Sequence, residues 1–263
     1  VMGVRLHRSL EELGRPVDLV ISAVNREASL EVVRSARRLG AGGVVIYAAG
    51  FREVGCGELE ERLRAEAGPM PVLGPNTSGF VNVPLGLEAT FDPFCQESGG
   101  IRPGGVSILS QSGGIGVTLG RRAAGLGLGL NKLICLGNRT LVDFPEALDY
   151  LAQDRGTRVV GCFLEGLEDG RAFLQAARRL GKPLVAYKVG WGERLNPFGR
   201  SHTGALIGSQ RVYQGAFRQF GIRLARSLDE LLVGCKALDL CDPAPGRRAY
   251  LLTHSAGPSL VAA

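Results

Sequence analysis

A chain of 263 residues, 45% hydrophobic and 21% charged, is long enough for about one to two domains and has an ordinary globular balance. Its net charge of +6 comes from arginines interleaved with acids, as in "REVGCGELEERLRAE", so no like-charge block marks a nucleic-acid tail. The basic excess reads first as a well-solvated basic surface, with an anionic ligand or partner as the alternative, and the apolar runs are strand-sized, short of the roughly 20 residues that span a bilayer.

The elements follow a regular alternation. "VDLVISAV" (17–24) is a buried-strand run, and "SLEVVRSARRLG" (29–40) has helical spacing and stops at a glycine. "GVVIYAAG" is a second strand, "GELEERLRAEAG" a second helix and "MPVLG" a short third strand. Continuous apolar runs alternating with helices predict parallel strands buried on both faces. The Pro/Gly-rich stretch "FDPFCQESGGIRPGG" (91–105) interrupts this rhythm and reads as a linker.

The alternation then resumes. Strands are expected at "VSILS", "KLICLG", "RVVGCFLE", "PLVAYKVG" and "GIRLA", with helices near 114–126, 143–152, 170–180, 205–219 and 227–240. This describes a five-stranded α/β domain of the flavodoxin-like kind. "CDPAPGRR" (241–248) is a second linker, followed by one strand and the start of a helix. The expected organisation is therefore a first α/β domain over 1–98, a second over 99–242, and the start of a third domain, or a tail, over 247–263.

The six cysteines form no CxxC pair and show no metal-ligand spacing. Several lie in apolar strands, where a reduced thiol behaves as a small hydrophobe, so neither disulfide nor zinc is expected. The N-terminus lacks a secretory pattern, and a cytoplasmic location is the expectation.

In an open α/β sheet, ligands bind outside the carboxyl ends of the strands. After "VSILS" comes "QSGGIG", opening a helix; Asn138 follows "LICLG", Glu165 follows "VVGCFL", and "PLVAYKVG" leads to the loop carrying His202. Small residues at a strand-to-helix turn let backbone N–H groups and the helix dipole meet a phosphate, which points to Ser112, Gly113 and Gly114. The same glycines also satisfy a simple tight turn. The acid expected about 20 residues onward in a dinucleotide fold is missing, which excludes a nicotinamide-dependent oxidoreductase.

His202 is one of only three histidines. Its options are general base, metal ligand, nucleophile toward phosphorus, or a loop residue bonded to a nearby carbonyl. With a helix start for phosphate and one carboxylate on the same rim, phosphoryl transfer onto the imidazole is favoured and metal binding is not expected. Glu165 would then hold the other ring nitrogen, the alternative being a solvated strand-end carboxylate. In the first domain, "SAVN", "YAAGF" and "LGPNTSGFVN" end strands with small residues that leave room for a ligand, or equally form plain loop turns.

The succession "GPNTSGFVN…GLEATF", "SQSGGIG", "GN…DFPEALDYLAQD", "FLEG", "KPLVAYKVG" and "SHTGALIG" resembles the NDP-forming acyl-CoA synthetases, relatives of the succinyl-CoA synthetase α subunit. That resemblance implies a Rossmann-like CoA-binding domain, N-terminally truncated by one βαβ unit, followed by the flavodoxin-like domain. It implies His202 as the phosphorylated residue, Glu165 as the carboxylate that steadies it, and Ser112, Gly113 and Gly114 as the phosphoryl cradle. Ala23, Val24, Ala48, Gly50 and Asn76 are the positional candidates for coenzyme A. ATP/ADP or GTP/GDP with Mg would enter through a partner ATP-grasp domain or chain, a small carboxylic acid would be the other substrate, and a homo-oligomer is compatible. The alternative within this fold is a non-catalytic or regulatory CoA-binding module.

Overall fold

The computed structural model describes residues 6–92, 100–190 and 210–241, with a few isolated positions outside these spans. A three-stranded parallel sheet comes first, ordered β1 (Val20–Ser22), β2 (Val44–Ile46), β3 (Val72–Leu73). Helices α1 (Arg26–Leu39) and α2 (Gly57–Ala67) connect these strands. Helix α1 starts where the Asn25 side chain accepts a hydrogen bond from the Ala28 N–H, and it ends at Gly40 in the left-handed conformation. Leu30, Val33 and Ala36, spaced for one helical face, bury against Val44, Ile46 and Leu63.

The second sheet has seven strands in the order β10-β9-β8-β6-β7-β4-β5. Five are parallel: β6 (Pro103–Ser110), β7 (Leu130–Cys135), β8 (Val159–Leu164), β9 (Leu184–Lys188) and β10 (Arg223–Ala225). Counted among themselves, they run 2-1-3-4-5, the doubly wound order expected of a flavodoxin-like domain. Helices α4 (Phe144–Gln153), α5 (Gly170–Leu180) and α6 (Gln210–Gln219) cover one face, where Phe144, Phe173 and Phe217 pack ring against ring at 5.9 Å. Helices α3 (Gly113–Gly125) and α7 (Leu228–Leu240) cover the other. Val45 and Leu73 of the first sheet share the α4–α5 core, so the two sheets are joined by apolar packing.

Two features depart from the reading of the sequence. Strands β4 (Phe80–Asn82) and β5 (Leu87–Ala89) form an antiparallel hairpin, and β4 pairs with β7, Phe80 opposite Ile134. Three-residue strands flanking a "VPLG" turn carry too little periodicity to announce themselves. The stretch expected as a linker over 91–105 also carries fixed contacts and regular structure among its described residues. Phe91 packs edge-on against Tyr47 at 5.0 Å, and β6 already begins at Pro103.

Cys135, Cys162 and Cys235 are buried. Loss of hydration pushes the thiols of Cys135 and Cys235 up to about 12 and that of Cys162 well above its ordinary value. All three act as packing residues. No helix among the described residues is long and apolar enough to cross a membrane.

Candidate functional site

Strands β6 and β8 are neighbours, and the chain leaves them toward opposite sides of the sheet. That is the switch point at which a doubly wound sheet opens a crevice beyond its strand ends. Gln111, just past β6, spans the crevice. Its backbone N–H donates to the Phe163 carbonyl (3.2 Å), and its side-chain Oε1 accepts from the N–H groups of Glu165 (3.0 Å) and Gly166 (3.1 Å). The buried amide thereby ties the Glu165 turn to the start of α3.

Ser112 caps α3, its Oγ accepting from the Ile115 N–H at 3.4 Å, and no acidic residue occupies the first turn. The first N–H groups of a helix have no intrahelical acceptor and carry its positive dipole end. Gly113 has to be glycine, because a Cβ there would run into the Ser78 side chain and stand 3.2 Å from the Ser78 backbone nitrogen. A Cβ on Gly114 would meet nothing within 4 Å. The helix start is thus held against Ser78 at Gly113 and open at Gly114.

These groups line a cleft of about 240 Å³ together with Glu165. A second wall comes from the loop after β3. Asn76, with φ of +57°, donates its backbone N–H to the Ala48 carbonyl (2.8 Å) and its side-chain Nδ2 to the Asn138 Oδ1 (3.2 Å). Thr77 Oγ1 donates to the Cys135 carbonyl and accepts from the Gly79 N–H. Tyr47 and Phe91 form an aromatic rim.

The third wall is Gly137–Asn138–Arg139, beyond β7. Gly137 has φ of +63°, and a Cβ there would collide with the carbonyl of Pro75. Asn138 joins the two sheets: its Nδ2 donates to Glu53 (2.6 Å) and Glu60 (3.0 Å), and its carbonyl accepts from Arg52. Burial works against ionisation of Glu53, but hydrogen bonds from Asn138 and from the Gly50 and Phe51 N–H groups outweigh it and hold its pKa below the usual range. Glu60, itself buried, also accepts from Thr140 at 2.6 Å. Arg139 has φ of +62° and a side chain 1% exposed, with Nη1 donating to both oxygens of Asp143 at 3.1 Å.

Lys188 closes β9 beside the end of β8 and is fully buried. Loss of hydration pulls its pKa down to about 8, partly opposed by the nearby Glu165 carboxylate. Val189 donates to the Leu164 carbonyl at 3.0 Å, so the chain leaves Gly190 alongside the Glu165 turn.

The sequence-predicted residues divide accordingly. Ser112, Gly113, Gly114, Glu165 and Asn76 meet in one cleft. Ala48 and Gly50 lie behind Asn76 without lining it, Val24 lines a separate shallow hollow near His7, and the exposed Ala23 lines neither. His202 lies outside the described residues. Gln111, Arg139 and Lys188 were not singled out from the sequence; the "GNR" beyond β7 was the available sign of Arg139. Among the described residues, no cluster of three or more His, Cys, Asp or Glu side chains could hold a metal ion.

Residues 103–238 match the family model of the succinyl-CoA ligase like flavodoxin domain, and the chain belongs to that family. Its relatives include ADP-forming acetate–CoA ligases. The alpha subunit of the type II enzyme of Pyrococcus furiosus is 33% identical over 270 residues, covering 100% of this chain and 57% of that subunit. The type I enzyme of Archaeoglobus fulgidus is 34% identical over 269 residues, covering 100% of this chain and 38% of that protein. A solved structure of the Ca. Korarchaeum cryptofilum acetyl-coenzyme A synthetase 1, in complex with phosphate and ADP, superimposes with a TM-score of 0.87 at 32% identity. The superposition covers 94% of this chain and 53% of that one. The chain therefore spans between 38% and 57% of the length of these relatives.

Proposed function

We propose that this chain is the CoA-binding and phosphohistidine-bearing part of an NDP-forming acyl-CoA synthetase, which converts acyl-CoA, NDP and phosphate to a carboxylic acid, CoA and NTP. The observation that carries this reading is the β6/β8 crevice. There an acid-free, Ser112-capped helix start and Glu165 are locked together by Gln111, beside the strand from which the chain runs on to His202. The ADP-forming acetate–CoA ligases among its relatives support the same reaction.

In this scheme phosphate attacks the acyl-CoA carbonyl and CoA leaves. His202 then attacks phosphorus, the P–O bond to the acyl group breaks, and the carboxylate departs. Glu165 accepts a hydrogen bond from the other ring nitrogen and steadies the charge on the phosphorylated ring. The first N–H groups of α3, at Gly113 and Gly114, balance the phosphoryl oxygens. The strand ends at Ala23, Val24, Ala48, Gly50 and Asn76 would receive CoA, and a partner ATP-grasp domain would bring the nucleotide with Mg.

The test is His202→Asn in the full protein with its partner. Turnover should disappear while CoA affinity is unchanged. Retained turnover would overturn the phosphohistidine reading. A wild-type protein that binds CoA but shows no turnover with its partner would instead be a regulatory binding module.

A further inference from the structure

Arg139 is the one described residue with buried side-chain nitrogens that lack a hydrogen-bond partner: Nε and Nη2 have none. The Nη1 edge is fully used by Asp143, which also caps α4. Glu168 stands 3.7 Å from Nη2, but its carboxylate is engaged by Arg52 at 2.5 Å. One edge of a buried guanidinium is therefore left without a close acceptor. A buried charged donor without an acceptor is costly and calls for an explanation. The backbone adds a second sign: φ of +62° is a conformation that non-glycine residues avoid, and such outliers cluster at ligand clamps.

Arg139 lines the same cleft as Ser112, Gly114, Glu165 and the aromatic pair Tyr47 and Phe91. The Nε/Nη2 edge of arginine presents two parallel donors that match the two oxygens of a carboxylate. The start of α3 already suits a phosphoryl group, whereas an aromatic rim suits the organic body of an acid, which inorganic phosphate lacks. Both donors of this edge are buried, in a side chain that lines the cleft.

We infer that Arg139 binds the carboxylate of the acid substrate through its Nε/Nη2 edge and aligns it with the phosphoryl group at the start of α3. This rests on the synthetase reading above.

The test uses Arg139→Gly, which suits the left-handed backbone, and Arg139→Lys, which keeps the charge but loses the fork. Binding of acetate, isobutyrate and benzoate to the full protein is followed by ligand-observed NMR. The KM values for acid and for phosphate, and NTP-driven labelling of His202, are measured alongside. Arg139→Gly should weaken binding and raise the acid KM by about ten- to a hundredfold, the loss of two charge-assisted hydrogen bonds. Labelling of His202 and the phosphate KM should stay within about twofold. Millimolar guanidinium should restore part of the acid use. Should Arg139→Gly fail to fold by circular dichroism, Arg139→Lys decides, with the same acid-selective loss expected. An unchanged acid KM in a folded variant, a matching rise in the phosphate KM, or no binding of any of the three acids to the wild type would overturn the inference. Absence of label on wild-type His202, with acid binding still dependent on Arg139, would overturn the synthetase reading alone.

Discussion

The two ends of the large sheet both bury polar side chains, and they treat them in opposite ways. At the amino ends of the strands, the part-buried carboxylate of Asp154 is well supplied with donors. It accepts from Lys132 (2.8 Å), Asn131 (2.5 Å) and Thr157 (2.5 Å), while Ser107 bonds Thr157 at 2.8 Å and Lys182 covers the Asp154 carbonyl. At the carboxyl ends, Gln111 and Asn138 are equally well bonded, yet the first turn of α3 is open over Gly114 and the Nε/Nη2 edge of Arg139 lacks a hydrogen-bond partner. A polar cluster serving only stability closes on itself. A cluster serving a ligand is rigid around its rim and unfinished at its centre.

Breaking the closed end should produce the largest loss of stability. Asp154→Ala strands the buried ammonium of Lys132, and chemical denaturation should show a loss of about 3–5 kcal/mol, with phosphorylation per folded molecule unchanged. The same cluster predicts an acid limb. Burial works against ionisation of Asp154, but Lys132, Thr157 and Asn131 outweigh it and bring its pKa from 3.8 to about 2. A lowered folded-state pKa contributes stability above the unfolded value and loses it as pH falls through the folded value. The wild type should therefore lose about 1–2 kcal/mol, allowing for solvent screening, as pH drops from about 4 to about 2. Asp154→Asn should flatten that limb of the denaturation–pH profile.

The open end should respond the other way round. Gln111→Leu leaves the Glu165 and Gly166 N–H groups without their acceptor, at a cost of about 1–3 kcal/mol. Phosphoryl transfer to His202 should fall about tenfold or more as the carboxylate loses its position, measured as label per folded molecule. Equal losses of stability and no loss of labelling would make Gln111 a structural tie only. The smallest effect on folding belongs to Gly114→Ala. Its Cβ meets nothing, and alanine favours a helix by about 0.5–1 kcal/mol, so the melting temperature should hold or rise. Gly113→Ala, forced against Ser78, should lower it.

Much of the fold was legible because buried parallel strands write themselves in unbroken apolar runs, and helices in their spacing and in a stop such as Gly40. The β4–β5 hairpin was not, since three-residue strands take their identity from the partner they find, here β7. Strand ends likewise pointed to Ser112, Gly113, Gly114, Glu165 and Asn76. Gln111 and Arg139 escaped notice because their roles depend on what the fold brings near them: two N–H groups 54 and 55 residues away for Gln111, and the cleft that several separate loops assemble for Arg139. Tyr47 and Phe91 meet across 44 positions for the same reason of folding rather than sequence.

The decisive experiment is to incubate the full protein and its ATP-grasp partner with γ-labelled NTP and locate the label by peptide mapping. Acid-labile, base-stable label on His202, discharged by a carboxylic acid together with CoA, is the expected result. A protein that folds, binds CoA and stays unlabelled, while the partner phosphorylates a known acceptor, would contradict the phosphoryl-transfer role of the β6/β8 crevice.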